Sequence, residues 1–246
     1  MEKVKKIIYA IISVTILIII WTMAAKNQEL LPSPKEVFAE VAIFMYVPIS
    51  GYTLIGHILV SLFRLAFALM VSSVIGIFVG IMMALNFYID CTIGTLIKFI
   101  TLVPAIAWMP IMIMWNGIGE SSIIIIIILG IISPIIINTY LGFYKIDKKF
   151  LVIVKTLNAT KKQVFTKILI PIAAPKVVNG LKNALEIGWI ILIAVEMLMA
   201  DEGMGFILTR GMDYFDIPLI FVGMISIGVV KSIISLLIAI VEENYN

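Results

Sequence analysis

Six stretches of the chain are apolar over lengths that suit a membrane-spanning helix. An α-helix crosses a hydrocarbon core of about 30 Å with about 20 residues. The predicted spans are about 7–25, 58–86, 94–115, 121–143, 183–200 and a last one within 216–241. The pattern therefore predicts an all-α, polytopic membrane bundle of about six transmembrane helices.

Between the first two spans, polar and apolar positions alternate with a helical period. Leu31-Pro32-Ser33-Pro34 is rich in turn formers. Val37, Phe38, Val41, Ala42 and Met45 then recur on one face of a predicted helix. We expect a short amphipathic helix at the membrane interface.

The segment 145–182 is too long to be a simple connection, and its pattern predicts two helices. Phe150, Leu151, Ile153, Val154 and Leu157 share one helical face, and Asn158 interrupts it. A second periodic stretch holds Val164, Phe165, Ile168 and Leu169, and Pro171 is expected to end it. Apolar ridges on such a segment either pack on the chain's own bundle or fill a groove of another protein.

Lysines set the expected orientation. The segment 145–182 holds nine of the chain's eighteen basic residues and one acid, Asp147, so it is predicted to be cytoplasmic. An even number of spans then places both termini in the cytoplasm. The acidic segment 201–216 is expected to be an outer loop.

Composition agrees with a membrane protein and disfavours an enzyme. Hydrophobic residues make up 62% of the chain and charged residues 13%. The single cysteine, Cys91, excludes an intrachain disulfide, and the solitary His57 disfavours a metal site. No glycine precedes a lysine, so the phosphate-binding Gly-Lys-Ser/Thr sequence of an ATPase is absent. We expect no catalytic residues, no metal, no cofactor on this chain and no nucleic-acid partner.

Charges and small residues inside the spans are the candidates for function. A charged side chain near mid-bilayer costs about 2.5–3.5 kcal/mol on insertion scales, so Glu196 is expected to face the bundle interior or an aqueous path. Glu186 lies about 80° away on the same helix and is expected to snorkel or pair with Lys182. Arg64 either attracts anions or anchors the helix at the interface. Gly76 and Gly80 form a small-xxx-small face for close helix approach.

Several motifs, in order along most of the chain, resemble one family. Lys155-Thr156-Leu157-Asn158-Ala159-Thr160 through Ile168-Leu169-Ile170-Pro171 is similar to the cytoplasmic loop of binding-protein-dependent ABC importer permeases. The match extends to the permeases for nitrate, sulfonates and taurine. Its further motifs are Leu31-Pro32-Ser33-Pro34, Ser61-Leu62-Phe63-Arg64, Ala107-Trp108-Met109-Pro110, Trp115-Asn116-Gly117-Ile118-Gly119-Glu120, Pro134 with Asn138-Thr139-Tyr140, and Ala194-Val195-Glu196-Met197 before Gly203-Met204-Gly205.

The resemblance implies a type I ABC importer permease fold like that of methionine importers. Residues 1–56 would be an N-terminal transmembrane helix with an outer amphipathic segment, and 57–246 the permease core. The implied partners are ATPase subunits that bind ATP and Mg, a second permease copy in a homodimer, an extracytoplasmic solute-binding protein and membrane lipid. The protein would reside in the plasma or inner membrane and import a small anion such as a sulfonate, taurine or nitrate.

The resemblance also assigns roles to residues. ATPase coupling falls to Thr156, Leu157, Asn158, Ala159, Thr160, Gln163, Val164, Phe165 and Pro171. The translocation pathway would include Arg64, Trp108, Asn116, Trp189 and Glu196.

Five alternatives stay open at this point. The solute could instead be a thiamine precursor or riboflavin-like, or the chain could be the coupling subunit of a vitamin importer. A membrane-embedded enzyme or scaffold would need no ATPase partner. Residues 1–25 are either a retained helix, which we favour for its length, or a cleaved signal peptide. The last helix either leaves the membrane near Lys231 and continues along the surface, which we favour, or stays in the membrane with a snorkelling lysine.

Overall fold

The computed structural model describes residues 2–28, 31–146 and 160–243, and almost all of them are helical. The α-helices are α1 Glu2–Asn27, α2 Pro34–Phe44, α3 Leu54–Leu85, α4 Phe87–Ile89, α5 Thr95–Leu102, α6 Met109–Asn116, α7 Glu120–Tyr144, α8 Lys161–Val164, α9 Ile170–Met199, α10 Met204–Asp213 and α11 Ile217–Glu243. Two π-helical turns, Asp90–Gly94 and Phe165–Leu169, and a 3-10 turn, Ala105–Trp108, lie between them. The predicted all-α class is confirmed.

The membrane spans follow the apolar segments with differences in detail. In the described part of the chain, three single helices are long and apolar enough to cross a membrane: Leu54–Leu85, Glu120–Tyr144 and Ile217–Ala239. Two bent helix pairs raise the number to five, and Ile11–Lys26 is a shorter apolar helix. The last span contains Lys231 and its helix continues beyond it, which both alternatives for this lysine allow, so the expected exit near Lys231 stays a prediction.

The predicted third span, 94–115, is not a single helix. Phe87–Leu102 and Ala105–Asn116 meet at 90°. Val103 leaves the helical region at φ −92° and ψ 119° because a residue before proline avoids the α conformation. Pro104 in turn has no N–H to continue the ladder. We call the bend at Val103 and Pro104 the elbow.

In the segment after residue 160, proline does not end the helix. Pro171 was expected to end the helix, yet α9 runs from Ile170 to Met199 through Pro171 and Pro175. The π-helical turn Phe165–Leu169 lies immediately before α9. Its wider winding relieves the clash of the Pro171 ring with the preceding turn. The predicted span 183–200 is therefore the end of a longer helix, and the expected outer loop 201–216 is largely the helix α10.

Contacts divide the chain into two compact units. The first unit comprises Met1–Val60 with Asp201–Asn244, and the second comprises Ser61–Ala200 for the described residues. This grouping differs from the linear division into 1–56 and 57–246, which stays a prediction about the family's core.

The first unit is held by an apolar cluster and a buried histidine. Trp21 stacks on Phe221 with ring centroids 5.5 Å apart, and its indole N–H donates to the Pro32 carbonyl at 3.0 Å. His57 is fully buried; its Nδ1 accepts the Gly203 N–H at 2.9 Å, so Nε2 carries the proton that reaches the Ile49 carbonyl at 2.9 Å. Helix α1 thus packs on the rest of this unit through Trp21.

The second unit is built by close approach at glycines. A Cβ on Gly76 would lie 2.8 Å from Ile135 Cγ2, and one on Gly80 would lie 2.7 Å from Thr139 Cβ. The predicted small-xxx-small face is therefore confirmed. Gly76 lies against Ile135 and Gly80 lies against Thr139, so residue numbers increase in the same direction along both helices. Helices α3 and α7 are therefore parallel.

Helix α9 runs antiparallel to α7. Gly180 lies against Asn138, whereas Gly188, further along α9, lies against the earlier residue Ile131. Since α3 and α7 are parallel, the segment between them must return over the length of the unit. The bent pair at the elbow is therefore a broken span and not a re-entrant loop.

Candidate functional site

A buried ion pair joins α3 to α9 in the second unit. Arg64 Nη1 donates to Glu196 Oε1 at 2.8 Å, and the two side chains are 1% and 0% exposed. Ser61, one turn before Arg64, places its hydroxyl 2.7 and 2.8 Å from the two carboxylate oxygens of Glu196. Both oxygens of this buried carboxylate therefore accept hydrogen bonds, as a charge removed from water requires.

A second carboxylate completes the cluster from α7. Arg64 Nε lies 3.0 and 2.9 Å from the two oxygens of Glu120, and Nη2 also donates to Glu120 Oε1. Glu120 is the first residue of α7, where an acidic side chain also interacts favourably with the helix dipole. Gly117 and Gly119, at φ 77° and 151°, form the turn that delivers it.

We call Ser61, Arg64, Glu120 and Glu196 the charge cluster. With both carboxylates ionised it holds one positive and two negative formal charges. The guanidinium is engaged on two edges by carboxylates, so it is not available as a cation for an anionic solute in this conformation. The cluster can tie α3, α7 and α9 together at one end of the unit.

A cavity of about 220 Å³ lies at the elbow, also within the second unit. Three parts of the unit contribute: the elbow itself, the middle of α7 and one face of α9. The lining residues are Ile100, Thr101, Val103, Pro104, Ala105, Trp108, Leu129, Gly130, Ser133, Pro134, Ile187 and Ile191. Among the described residues of this lining there is no carboxylate, lysine or arginine side chain, so a polar ligand would meet neutral groups there.

The described part of the predicted coupling segment begins with a helix cap. The Thr160 N–H donates to Gln163 Oε1 at 2.9 Å, and the Gln163 N–H donates to Thr160 Oγ1 at 3.3 Å. This reciprocal pair is a capping box and starts α8 at Lys161. Phe165 is half-buried and stacks on Phe143 of α7 with centroids 6.1 Å apart. At this residue the segment packs on its own bundle.

The five predicted pathway residues lie in different environments of the structure. Arg64 and Glu196 meet in the charge cluster, and the burial of Arg64 contradicts the alternative of an interfacial anchor. Trp108 lines the cavity. Trp189 is 5% exposed in the core, whereas Asn116 is exposed at the end of α6. Glu186 is exposed, so the two acids of α9 occupy different environments as their spacing predicts.

The predicted coupling residues fall in two groups. Thr156, Leu157, Asn158 and Ala159 lie outside the described residues. The other five are described: Thr160 caps α8, Gln163 and Val164 lie in α8, Phe165 begins the π-helical turn, and Pro171 lies in the first turn of α9.

Two members of the charge cluster were missed by the sequence reasoning. Ser61 and Glu120 were quoted within motifs but received no role. A signal existed, because an arginine at the end of one span needs an acidic partner at the same end of another. The cavity residue Ser133 carried no signal, since a serine within an apolar helix normally bonds its own backbone.

Within the described ranges, no group of three or more His, Cys, Asp or Glu side chains is placed so that it could hold a metal ion. The ATP and Mg expected from the resemblance would belong to a partner ATPase.

Comparison with known proteins gives a family match over most of the chain. A family model described as "Binding-protein-dependent transport system inner membrane component" matches residues 72–246. This range includes Glu120, Glu196, the cavity and the capped segment.

Individual relatives match over nearly the whole chain. The taurine transport system permease protein TauC of Escherichia coli is 27% identical over 94% of this chain and 86% of its own length. The nitrate import permease protein NrtB of Synechocystis is 27% identical over 97% and 89%. NrtB of Synechococcus elongatus is 32% identical over 83% and 76%.

Among solved structures, the fold resembles a chain of the MetNI methionine ABC transporter in inward-facing conformations. One crystal form gives a TM-score of 0.58 at 15% identity and covers 77% of this chain and 96% of the other. A second form gives 0.55 at 20% identity, with 75% and 90% covered. The predicted methionine-importer-like fold is confirmed.

Proposed function

Because the chain belongs to the family of binding-protein-dependent transport system inner membrane components, we propose that it forms the pathway by which an importer takes up a small solute with an anionic oxygen group, such as taurine, another sulfonate or nitrate. It is the membrane permease subunit of an ABC importer. The part of this function that we propose is the class of solute that the permease transports.

The solutes named for two relatives support this class of solute. The relatives that align over 94% and 97% of the chain are permeases for taurine and for nitrate. Both solutes present a compact group of anionic oxygens. The thiamine-precursor and riboflavin alternatives, and the coupling subunit of a vitamin importer, have no such support.

The family indicates the kinds of partner protein, and we propose their number and their contact with this chain. A binding-protein-dependent importer works with an ATPase and a solute-binding protein. We propose that two copies of this chain, surrounded by lipid, pair with two ATPase subunits that bind ATP and Mg. The ATPase would contact residues 156–165, with Thr160 and Gln163 fixing the start of the helix that transmits its motion to α9.

Orientation is proposed from charge. The nine basic residues at 145–182 support a cytoplasmic position for this segment and for both termini. The charge cluster, at the opposite ends of α7 and α9, would then lie towards the outer face. There it would hold the helices together, and solute would pass by other residues.

Reconstituted transport tests the proposal. The chain, its ATPase and its binding protein would be placed in proteoliposomes, and ATP-dependent uptake of labelled taurine, nitrate and a thiamine precursor would be compared. We expect uptake of taurine or nitrate only, and none with an ATPase that cannot hydrolyse ATP. Uptake of the thiamine precursor alone would refute the anion assignment.

A further inference from the structure

Ser133, Ser72 and Thr139 are buried hydroxyl residues of the described helices that lack the usual bond to their own backbone, and of these three only Ser133 lines the elbow cavity. Thr101, Ser73 and Ser226 each donate to the carbonyl four residues earlier, at 2.7, 2.5 and 2.7 Å. Such back-bonding is the usual way to satisfy a hydroxyl in an apolar helix. Ser133 is 4% exposed and lines the cavity, yet within the described residues its hydroxyl makes no hydrogen bond. A buried hydroxyl without a partner costs free energy.

The elbow leaves backbone donors unpaired next to the same cavity, of which Ala105 is a lining residue. The 3-10 turn Ala105–Trp108 continues directly into α6, so that Ala105–Asn116 is one helical segment that begins at the cavity. In the described structure, the amides of Ala105 and Ile106 donate to no backbone carbonyl, whereas Ala107 already donates to Pro104. The first amides of a helix and its dipole favour an anion.

Size and polarity also fit a small anion. The cavity volume of about 220 Å³ equals roughly seven waters at about 30 Å³ each, which exceeds what nitrate or taurine needs. Trp108 adds an indole N–H, which is a donor only. The described lining residues include no fixed cation, so an anion bound by their neutral donors could also leave, as transport requires.

We propose that the elbow cavity is a transient binding site for the oxyanion group of the transported solute, with Ser133, Trp108 and the first amides of the Ala105 turn as donors. The site rests on the proposed anion import. Broken helices form solute sites in other transporter folds because their free ends face a cavity inside the membrane. In this chain the charge cluster occupies Arg64, which leaves anion recognition to the neutral donors of the elbow.

Uptake kinetics of the complete importer test the site. Ser133→Ala removes the hydroxyl without adding volume. A hydrogen bond to a charged ligand is worth a factor of about ten or more, so we expect the KM for taurine or nitrate to rise about tenfold while kcat changes little. Trp108→Phe should raise KM in the same direction. Ser226→Ala, a buried serine of the other unit whose hydroxyl is already bonded, should leave KM unchanged. A KM for Ser133→Ala within about twofold of wild type would overturn the site.

Anion quenching separates this inference from the choice of solute. The fluorescence of Trp108 is obtained by subtracting the emission of the Trp108→Phe protein from that of the protein with Trp108. Iodide should quench this fluorescence at a lower concentration in wild type than in Ser133→Ala. Acrylamide, a neutral quencher, should act equally on both. If neither taurine nor nitrate is transported but this iodide difference is found, the proposed solute is wrong and the site stands. Equal iodide quenching of both proteins would refute the site.

Discussion

Arg64 and Glu196, 132 residues apart in the sequence, form an ion pair of 2.8 Å in which neither side chain is more than 1% exposed. Burying two charges is costly, and their attraction compensates only when both are present and further hydrogen bonds complete the site. Ser61 and Glu120 supply those bonds. The pair therefore makes the packing of α3 on α9 depend on both residues.

Removing one partner of this pair should destabilise the protein strongly. Glu196→Leu leaves Arg64 with one carboxylate and is expected to cost about 3–5 kcal/mol. The double variant Arg64→Leu/Glu196→Leu should cost less than the sum of the two single variants, because it leaves no buried guanidinium. Thermal unfolding in detergent measures both. Glu186→Leu, at an exposed position on the same helix, should change the midpoint little, and equal losses at 186 and 196 would contradict the role of the pair.

Close packing at Gly80 gives a second stability prediction. A methyl group there would lie 2.7 Å from Thr139 Cβ and 2.8 Å from the Ile136 carbonyl oxygen. Since a backbone atom cannot move aside cheaply, Gly80→Ala should cost about 1–3 kcal/mol. Gly228→Ala is the matched control, because no atom of the described residues lies within 4 Å of its Cβ position. Comparison of the two unfolding midpoints decides the matter, and an unchanged midpoint for Gly80→Ala would argue against the parallel packing of α3 and α7.

Coupling to the ATPase should depend on the apolar residues of the cytoplasmic segment. Leu157→Asp or Phe165→Asp should abolish ATP-dependent uptake while the protein remains inserted, because a carboxylate cannot enter an apolar groove. The stacking of Phe165 on Phe143 adds a control. Phe143→Leu disturbs the same packing from within the bundle and should retain uptake. Normal uptake by both aspartate variants would refute the contact.

Cys91 offers a direct test of orientation. It is the chain's single cysteine and it is exposed, in the π-helical turn Asp90–Gly94 after α3. The neighbouring Asp90 accepts a hydrogen bond from the Tyr140 hydroxyl at 2.9 Å, so this turn lies at the cytoplasmic end of α7 in our orientation. A membrane-impermeant maleimide should therefore label Cys91 in inside-out vesicles and not in intact cells. The reverse pattern would invert the predicted topology.

The sequence by itself determined the class of the protein and much of its helical framework. Apolar segments of about 20 residues predict spans because the bilayer thickness sets helix length, and Gly76 and Gly80 predict a close helix contact because they lack side chains. These inferences use only local spacing. The ordered motifs similarly identified the family before any geometry was available.

Only the tertiary structure decided how the broken helices and charges are used. Pro104 ends a helix and Pro171 does not, although both lack the same N–H, because a π-helical turn precedes Pro171 and an extended residue precedes Pro104. Arg64 was compatible with a free cation until its pairing with Glu120 and Glu196 was seen. Hydrogen bonds between distant segments depend on how helices pack, and periodicity along one segment carries no information about them.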